Sequence, residues 1–295
     1  MGADDTVNLR EGRRACLGVM TPIETQNEVR DLYLDLLKRS LSGTAHGELF
    51  EVVDPRRRLT RFAYRYLSRI LDRSGHVLVR RGDRTRAEEG RASPLQAETM
   101  IGLRRLEHLE ACIEDVMANE IPGHFIETGV WRGGATIFMR AMLRVHRDTD
   151  RVVWVADSFR GLPVPKPEKY PADHGDEHHK RLPLAVGLEE VRANFARYGL
   201  LDEQVRFLEG WFSDTLPKAP IDRLALLRLD GDMYESTMDA LRGLYDRLSP
   251  GGHVIIDDYF LRGCKAAVDD FRTERGIHDQ LVVVDWAGVT WRKSG

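Results

Sequence analysis

From His124 onward the chain alternates short apolar runs of strand length with stretches of helical periodicity, and this alternation limits the fold more than any other feature of its 295 residues. The runs are His124 to Val130, Val152 to Ala156, Val205 to Leu208, Leu224 to Leu229 and Val254 to Ile256. A strand followed by a helix is carried back to its starting end before the next strand begins, so the pattern predicts a parallel sheet with helices on both faces. The chain closes differently. Leu281 to Val284 and Val289 to Trp291 flank a turn through Ala287-Gly288, close enough for an antiparallel hairpin. The expected class is α/β, a mostly parallel sheet ending in an antiparallel hairpin, with helices ahead of it.

The first 120 residues read as helical. Val29, Leu32, Tyr33, Leu36 and Leu37 have amphipathic spacing, and Leu95 to Asn119 carries Met100, Leu103, Leu106, Leu109, Ile113 and Val116 on one face. Between them, Arg56 to Arg91 interleaves arginines with Phe62, Tyr64, Tyr66, Leu67, Ile70 and Leu71. A solvated amphipathic helix followed by a mobile loop is expected there, a nucleic-acid patch being the alternative. The expected organisation is a disordered extension over 1–27, a helical region and lid over 28–120, and the α/β domain over 121–295.

Composition narrows the function. The net charge of -3 argues against general affinity for nucleic acid or anionic membranes, and 42% hydrophobic residues suffice for a sizeable core. Cys16, Cys112 and Cys264 are too few and too scattered for a disulfide framework or a zinc cluster, which fits a reducing cytoplasm. No apolar run approaches the roughly 18 residues of a membrane helix.

Acidic residues gather where two strands stop. Asp230 lies in Leu229-Asp230-Gly231-Asp232, and Asp257-Asp258 follow Val254-Ile255-Ile256. Strand ends at the carboxyl rim of a parallel sheet are where ligands bind, and neighbouring strands lie about 5 Å apart. Three carboxylates without Cys or His suit a hard divalent cation, Mg²⁺, Mn²⁺ or Ca²⁺. Simple helix capping is the alternative. Asp257 and Asp258 point to opposite faces of a strand, so both reach one ion only if the chain is already turning there.

The first strand runs into Glu127-Thr128-Gly129-Val130-Trp131-Arg132-Gly133-Gly134. A dinucleotide fingerprint needs glycine where Trp131 stands, and a bulky side chain there obstructs a pyrophosphate. NAD is therefore disfavoured. S-adenosylmethionine has no pyrophosphate; its amino-acid end can rest on this loop while Glu127 faces the ammonium. Asp157, ending the second strand, is placed to accept hydrogen bonds from both ribose hydroxyls or to cap a helix. Gly210-Trp211 ends the third, where Trp211 flanks an adenine or fills the core.

A parallel sheet finished by a hairpin is similar to the Rossmann-like class I methyltransferase fold. The runs Phe125 to Thr136, Val153 to Phe159, Tyr198 to Phe212, Leu226 to Tyr234 and Leu248 to Tyr259 further resemble the macrocin O-methyltransferase family, over residues 28–42 and 95–293. The resemblance implies methylation of a deoxysugar hydroxyl on a glycosylated natural product, with S-adenosylmethionine and Mg²⁺. It implies that Asp230, Asp257 and Asp258 bind the metal, and that Glu127, Thr128, Gly129, Asp157, Ser158, Gly210 and Trp211 meet the cofactor. Asp232 is the candidate base and Asp230 its rival. A phenol or catechol O-methyltransferase with the same core is the alternative function. A non-catalytic binding protein is a third, which the doubled aspartates disfavour. The expected partner is a small glycosylated acceptor, neither nucleic acid nor membrane, with a homo-oligomer left open. His174, His178 and His179, in the proline-rich segment Pro163 to Pro183, read as a mobile lid over the acceptor, with a metal cluster as the rival reading.

Overall fold

The computed structural model describes residues 22–53, 67, 71 and 73–295. The chain divides into two compact units that meet between Asp35 and Leu36. The first is described from Pro22 and is helical, the opening part of α1 (Pro22–Leu41). Residues 22–27, expected in a disordered extension, are thus in a helix, and Pro22 suits its first position because the missing N–H has no intrahelical partner there. Within α1, Leu34, Leu37 and Leu41 are buried, whereas Val29, Leu32 and Leu36 are exposed. Of the five residues the spacing singled out, Val29, Leu32, Tyr33 and Leu36 are exposed and Leu37 is buried. Within the arginine-rich stretch, residues 56–66, 68–70 and 72 lie outside the described residues, so its expected helix is untested, while the part expected as a mobile loop contains a strand over Val79–Arg81 and a helix over Arg84–Glu88.

The second unit contains the sheet. A small antiparallel pair, β1 (Phe50–Val52) and β2 (Val79–Arg81), leads to a short helix α2 (Arg84–Glu88) and to α3 (Leu103–Ala118). The helix expected from Leu95 starts eight residues later. Backbone groups of 95–101 are committed elsewhere: Glu98 N–H donates to Leu41 O, Glu98 O accepts from Gly134 N–H, and Arg132 Nη1 donates to Leu95 O and Ala97 O. Helix α3 buries Leu106, Leu109, Ile113 and Val116, and it packs against the sheet.

Then the alternation unfolds as read: β3 (His124–Thr128), α4 (Gly134–Val145), β4 (Val153–Asp157), α5 (Leu188–Arg197), β5 (Val205–Glu209), α6 (Phe212–Thr215), β6 (Leu224–Leu229), α7 (Tyr234–Leu244), β7 (Leu248–Ile256), α8 (Arg262–Glu274), β8 (Val282–Val283) and β9 (Val289–Arg292). The seven strands lie in the order β5-β4-β3-β6-β7-β9-β8. The first five are parallel, and β9 runs antiparallel to both β7 and β8, which closes the sheet with the expected hairpin. On one face Ile126, Leu227, Leu229, Val254 and Ile256 pack with Met238, Leu241, Val268 and Phe271 in a single apolar core. From β3 the chain first proceeds outward through β4 and β5, then returns to the other side of β3 for β6 and β7. That reversal opens a crevice at the carboxyl ends of β3 and β6.

Candidate active site

A cleft of about 470 Å³ lies at this switch point, lined among others by Gly129, Trp131, Asp157, Ser158, Gly210, Trp211, Asp230 and Asp232. Its floor is the loop after β3. Gly129 has φ +84, and a Cβ there would stand 1.8 Å from Asp230 O, so only glycine lets the two rim loops close on each other. Asp230 N–H completes the join by donating to Thr128 O at 2.9 Å. Asp157 is fixed by two backbone donors, Val130 N–H to Oδ2 and Phe159 N–H to Oδ1, each at 2.8 Å. Burial raises its pKa, and those N–H groups oppose the rise. Trp131 stands at the cleft wall with Nε1 donating to Pro183 O at 2.8 Å. Its bulk is where a pyrophosphate would have to pass.

Glu127 and Thr128 differ from their expected place, since neither lines the cleft. Both are still inside β3, and Glu127, 2% exposed, faces Arg228 of β6 and pairs with it. Burial pushes the Glu127 carboxyl up to about 8, with Arg228 pulling it down. Trp211 is 38% exposed at the cleft, not a core residue.

The acids do converge. One carboxylate oxygen each from Asp230, Asp257 and Asp258 all lie within 4.8 Å of one another. The condition on Asp257 and Asp258 is met because β7 ends at Ile256 and the chain bends at Asp257. Asp257 is gripped from two sides: Arg228 Nη2 donates to Oδ1 at 2.6 Å, and Arg105 Nη1, from α3, donates to Oδ2 at 2.5 Å. Burial, then the charges of Asp232, Asp230 and Asp257, drive the Asp258 pKa well up. Asp230 rises through burial and Asp257, against Arg228. Sequence reasoning passed over Arg228 and Arg105. The first had a signal, a lone charge inside the apolar run Leu224 to Leu229.

Asp232, two residues after Asp230, does not continue the extended strand. The strand stops at Leu229, and Asp232 sits at φ +57 with its N–H on Asp258 Oδ2 at 3.3 Å. It nevertheless lines the cleft, and burial followed by Asp230 pushes its carboxyl up to about 7, with His178 opposing. The histidine segment is a strap tied at three points. Lys166 Nζ pairs with Glu235 at 2.7 Å, Asp173 accepts from Tyr234 N–H at 2.7 Å and Glu235 N–H at 3.2 Å, and Pro183 O holds Trp131. Asp173 thereby caps α7 from outside it, and Gly263 leaves the room, for a Cβ would lie 2.5 Å from Asp173 Oδ1. His178 Nδ1 is paired with Asp176 Oδ2 at 2.7 Å. Among the described residues, no group of three potential metal ligands includes a histidine.

Comparison with known proteins agrees with this geometry. Residues 30–293 match the family model of macrocin-O-methyltransferase (TylF). The chain belongs to the macrocin-O-methyltransferase family. This methyltransferase is 50% identical over 266 residues to 8-demethyl-8-(2,3-dimethoxy-alpha-L-rhamnosyl)-tetracenomycin-C 4'-O-methyltransferase of Streptomyces olivaceus, covering 90% of this chain and 94% of that one. It is 49% identical over 281 residues to demethyldecarbamoylnovobiocin O-methyltransferase of Streptomyces niveus, covering 93% and 100%. The solved structure of the O-methyltransferase NovP superimposes with a TM-score of 0.76 at 46% identity, covering 90% of this chain and all of that one. The sheet, its hairpin and the crevice are those of an S-adenosylmethionine-dependent class I methyltransferase.

Proposed function

We propose that this methyltransferase transfers the methyl group of S-adenosylmethionine to a sugar hydroxyl of a glycosylated natural product, assisted by a divalent cation. The observation that carries the reading is the convergence of Asp230, Asp257 and Asp258 on the edge of a cleft that also presents Asp157, Ser158 and Trp211. The rhamnosyl group in the name of the tetracenomycin relative supports the sugar acceptor.

The residues fit both groups. Three hard oxygen donors, two of them raised in pKa by burial and then by their neighbours' negative charge, suit Mg²⁺ or Mn²⁺ and would hold it. Asp157 would accept from the ribose hydroxyls, Ser158 would lie beside them, Gly210 and Trp211 would flank the adenine, and the Gly129 loop would carry the amino-acid end. Glu127 and Thr128 support that loop from beneath. When bound, the sulfonium supplies an activated methyl group and the cation favours the ionised form of a neighbouring hydroxyl.

The chain's own work is alignment and proton removal. Asp232 takes the hydroxyl proton as the oxygen–methyl bond forms and the sulfur–methyl bond breaks, leaving neutral S-adenosylhomocysteine. A carboxyl held at about 7 can accept a proton and return it near neutrality. Asp230, facing the cation, remains the rival base. The strap through Lys166, Asp173 and Pro183 shields the donor from water. No helix among the described residues is long and apolar enough to cross a membrane. A cytoplasmic enzyme is proposed, supported by the unpaired Cys112 and Cys264, and so is a homo-oligomer, supported by the exposed apolar stripe Val29, Leu32 and Leu36. The test is incubation with labelled S-adenosylmethionine, Mg²⁺ and a panel of glycosides, their aglycones and catechols. Label on a sugar oxygen of a glycoside is expected; label on catechols or aglycones alone would refute the acceptor class.

A further inference from the structure

We infer that Arg228 is the positioning residue of the cation site, a role that rests on the cation reading above. The sheet dictates its place. Glu127 on β3, Arg228 on β6 and Ile255 on β7 are successive register partners. Register partners in a parallel sheet share a face, as do residues two apart along a strand. Glu127 and Arg228 thus share a face, and hydrogen bonds bring Asp230 and Asp257, just past the strand ends, onto Arg228, with Arg105 of α3 also on Asp257.

Arg228 is 1% exposed, and its planar fork reaches three carboxylates at once. Nη1 donates to Glu127 Oε1 and, at 3.0 Å, to Asp230 Oδ2, while Nη2 donates to Asp257 Oδ1 at 2.6 Å. Two of the three acids that converge for a cation are therefore oriented by one rigid group. Arg105 completes the grip on Asp257, donating to Oδ2 and pairing through Nε with Asp285 at 3.1 Å. Asp258 has neither arginine as a partner; its Oδ2 accepts Asp232 N–H instead.

A guanidinium behind a cation site acts in two opposed ways. Its charge repels the cation, and its hydrogen bonds hold the ligands in direction. What the fork adds is fixed direction, the contribution of outer partners that is commonly worth about 10- to 100-fold in metal affinity. Lysine cannot replace it, because an ammonium is a point charge without the paired donors.

The experiment measures Mn²⁺ binding by electron paramagnetic resonance, without cofactor or acceptor, on the full chain, on Arg228→Lys, on Glu127→Gln and on Arg228→Met in the Glu127→Gln background. Thermal unfolding and S-adenosylhomocysteine calorimetry establish that each variant is folded. The parental chain is expected to bind Mn²⁺, and folded Arg228→Lys to bind it about 10- to 100-fold more weakly. An arginine serving the fold alone would lower Tm and leave the Mn²⁺ affinity of the folded variant unchanged; that result overturns the inference. Should Arg228→Lys not fold, Arg228→Met in the Glu127→Gln background decides, because it removes the fork together with one opposite charge and leaves the net charge of the cluster unchanged; weaker Mn²⁺ binding is expected, and parental affinity there also overturns the role. A parental chain that binds no Mn²⁺ removes the cation reading itself, and this is distinguishable from parental binding matched by the variants.

Discussion

Asp232 and Asp157 are residues whose backbone settings decide what their carboxylates can do. Asp232 has left the strand, lies at φ +57 and faces the cleft, while Asp230 turns back to Arg228. The proposed base and the proposed cation ligand thereby lie two residues apart in different settings. Asp232→Asn should leave donor and cation affinity nearly unchanged and lower the single-turnover methylation rate by about 10² to 10⁴. A parental rate in that variant, with Asp230→Asn retaining its cation and losing only chemistry, would exchange the two roles. Asp157→Ala should weaken S-adenosylmethionine binding by about 1.5 to 3 kcal/mol, the range for hydrogen bonds to a charged group. Calorimetry shows the loss, and an unchanged Kd would contradict the ribose contact. The acids were legible because each ends an apolar run. Their pairing was not, since two residues apart implies a common face only while the chain stays extended, and β6 stops at Leu229.

Two pairings between distant segments are announced by no local pattern. The strap from Lys166 to Pro183 read as a mobile loop because its prolines and charges lack periodicity, yet Asp173 ties it to the first N–H groups of α7. Such a partnership between distant segments leaves no trace in spacing. Asp173→Ala should cost about 0.5 to 2 kcal/mol, as for a lost helix cap, and raise the KM for S-adenosylmethionine through the loosened cleft wall. Unchanged Tm and KM would show that the strap is held elsewhere. On the opposite flank, Arg140 of α4 donates to both carboxylate oxygens of Asp202 at 2.9 and 2.5 Å. That hydrogen bonding holds the Asp202 pKa below its usual value. A depressed folded value means the pair's contribution is complete above the unfolded pKa and is lost as pH falls through the folded one. Asp202→Asn should accordingly lower the urea midpoint at pH 7, with the difference shrinking on acidification below the ordinary carboxylate range. A pH-independent difference would assign the effect to packing.

The architecture of the whole molecule was largely written in the order of its runs. Alternating strands and helices implied the parallel sheet, and the turn at Ala287-Gly288 implied its antiparallel close. Packing of the helical region was not legible in the runs: α3 lies on the sheet and sends Arg105 into the acid cluster. The crevice brings the wall proposed to bind the donor and the carboxylate triad to one switch point, and methyl transfer is proposed to need both. That need is tested most directly by single-turnover transfer from S-adenosylmethionine to a glycoside that the enzyme methylates, after rigorous chelation and again after Mg²⁺ is restored. The account predicts loss of transfer on chelation, recovery with Mg²⁺, and no recovery in Asp257→Asn. Transfer at the full rate in the chelated enzyme would contradict it.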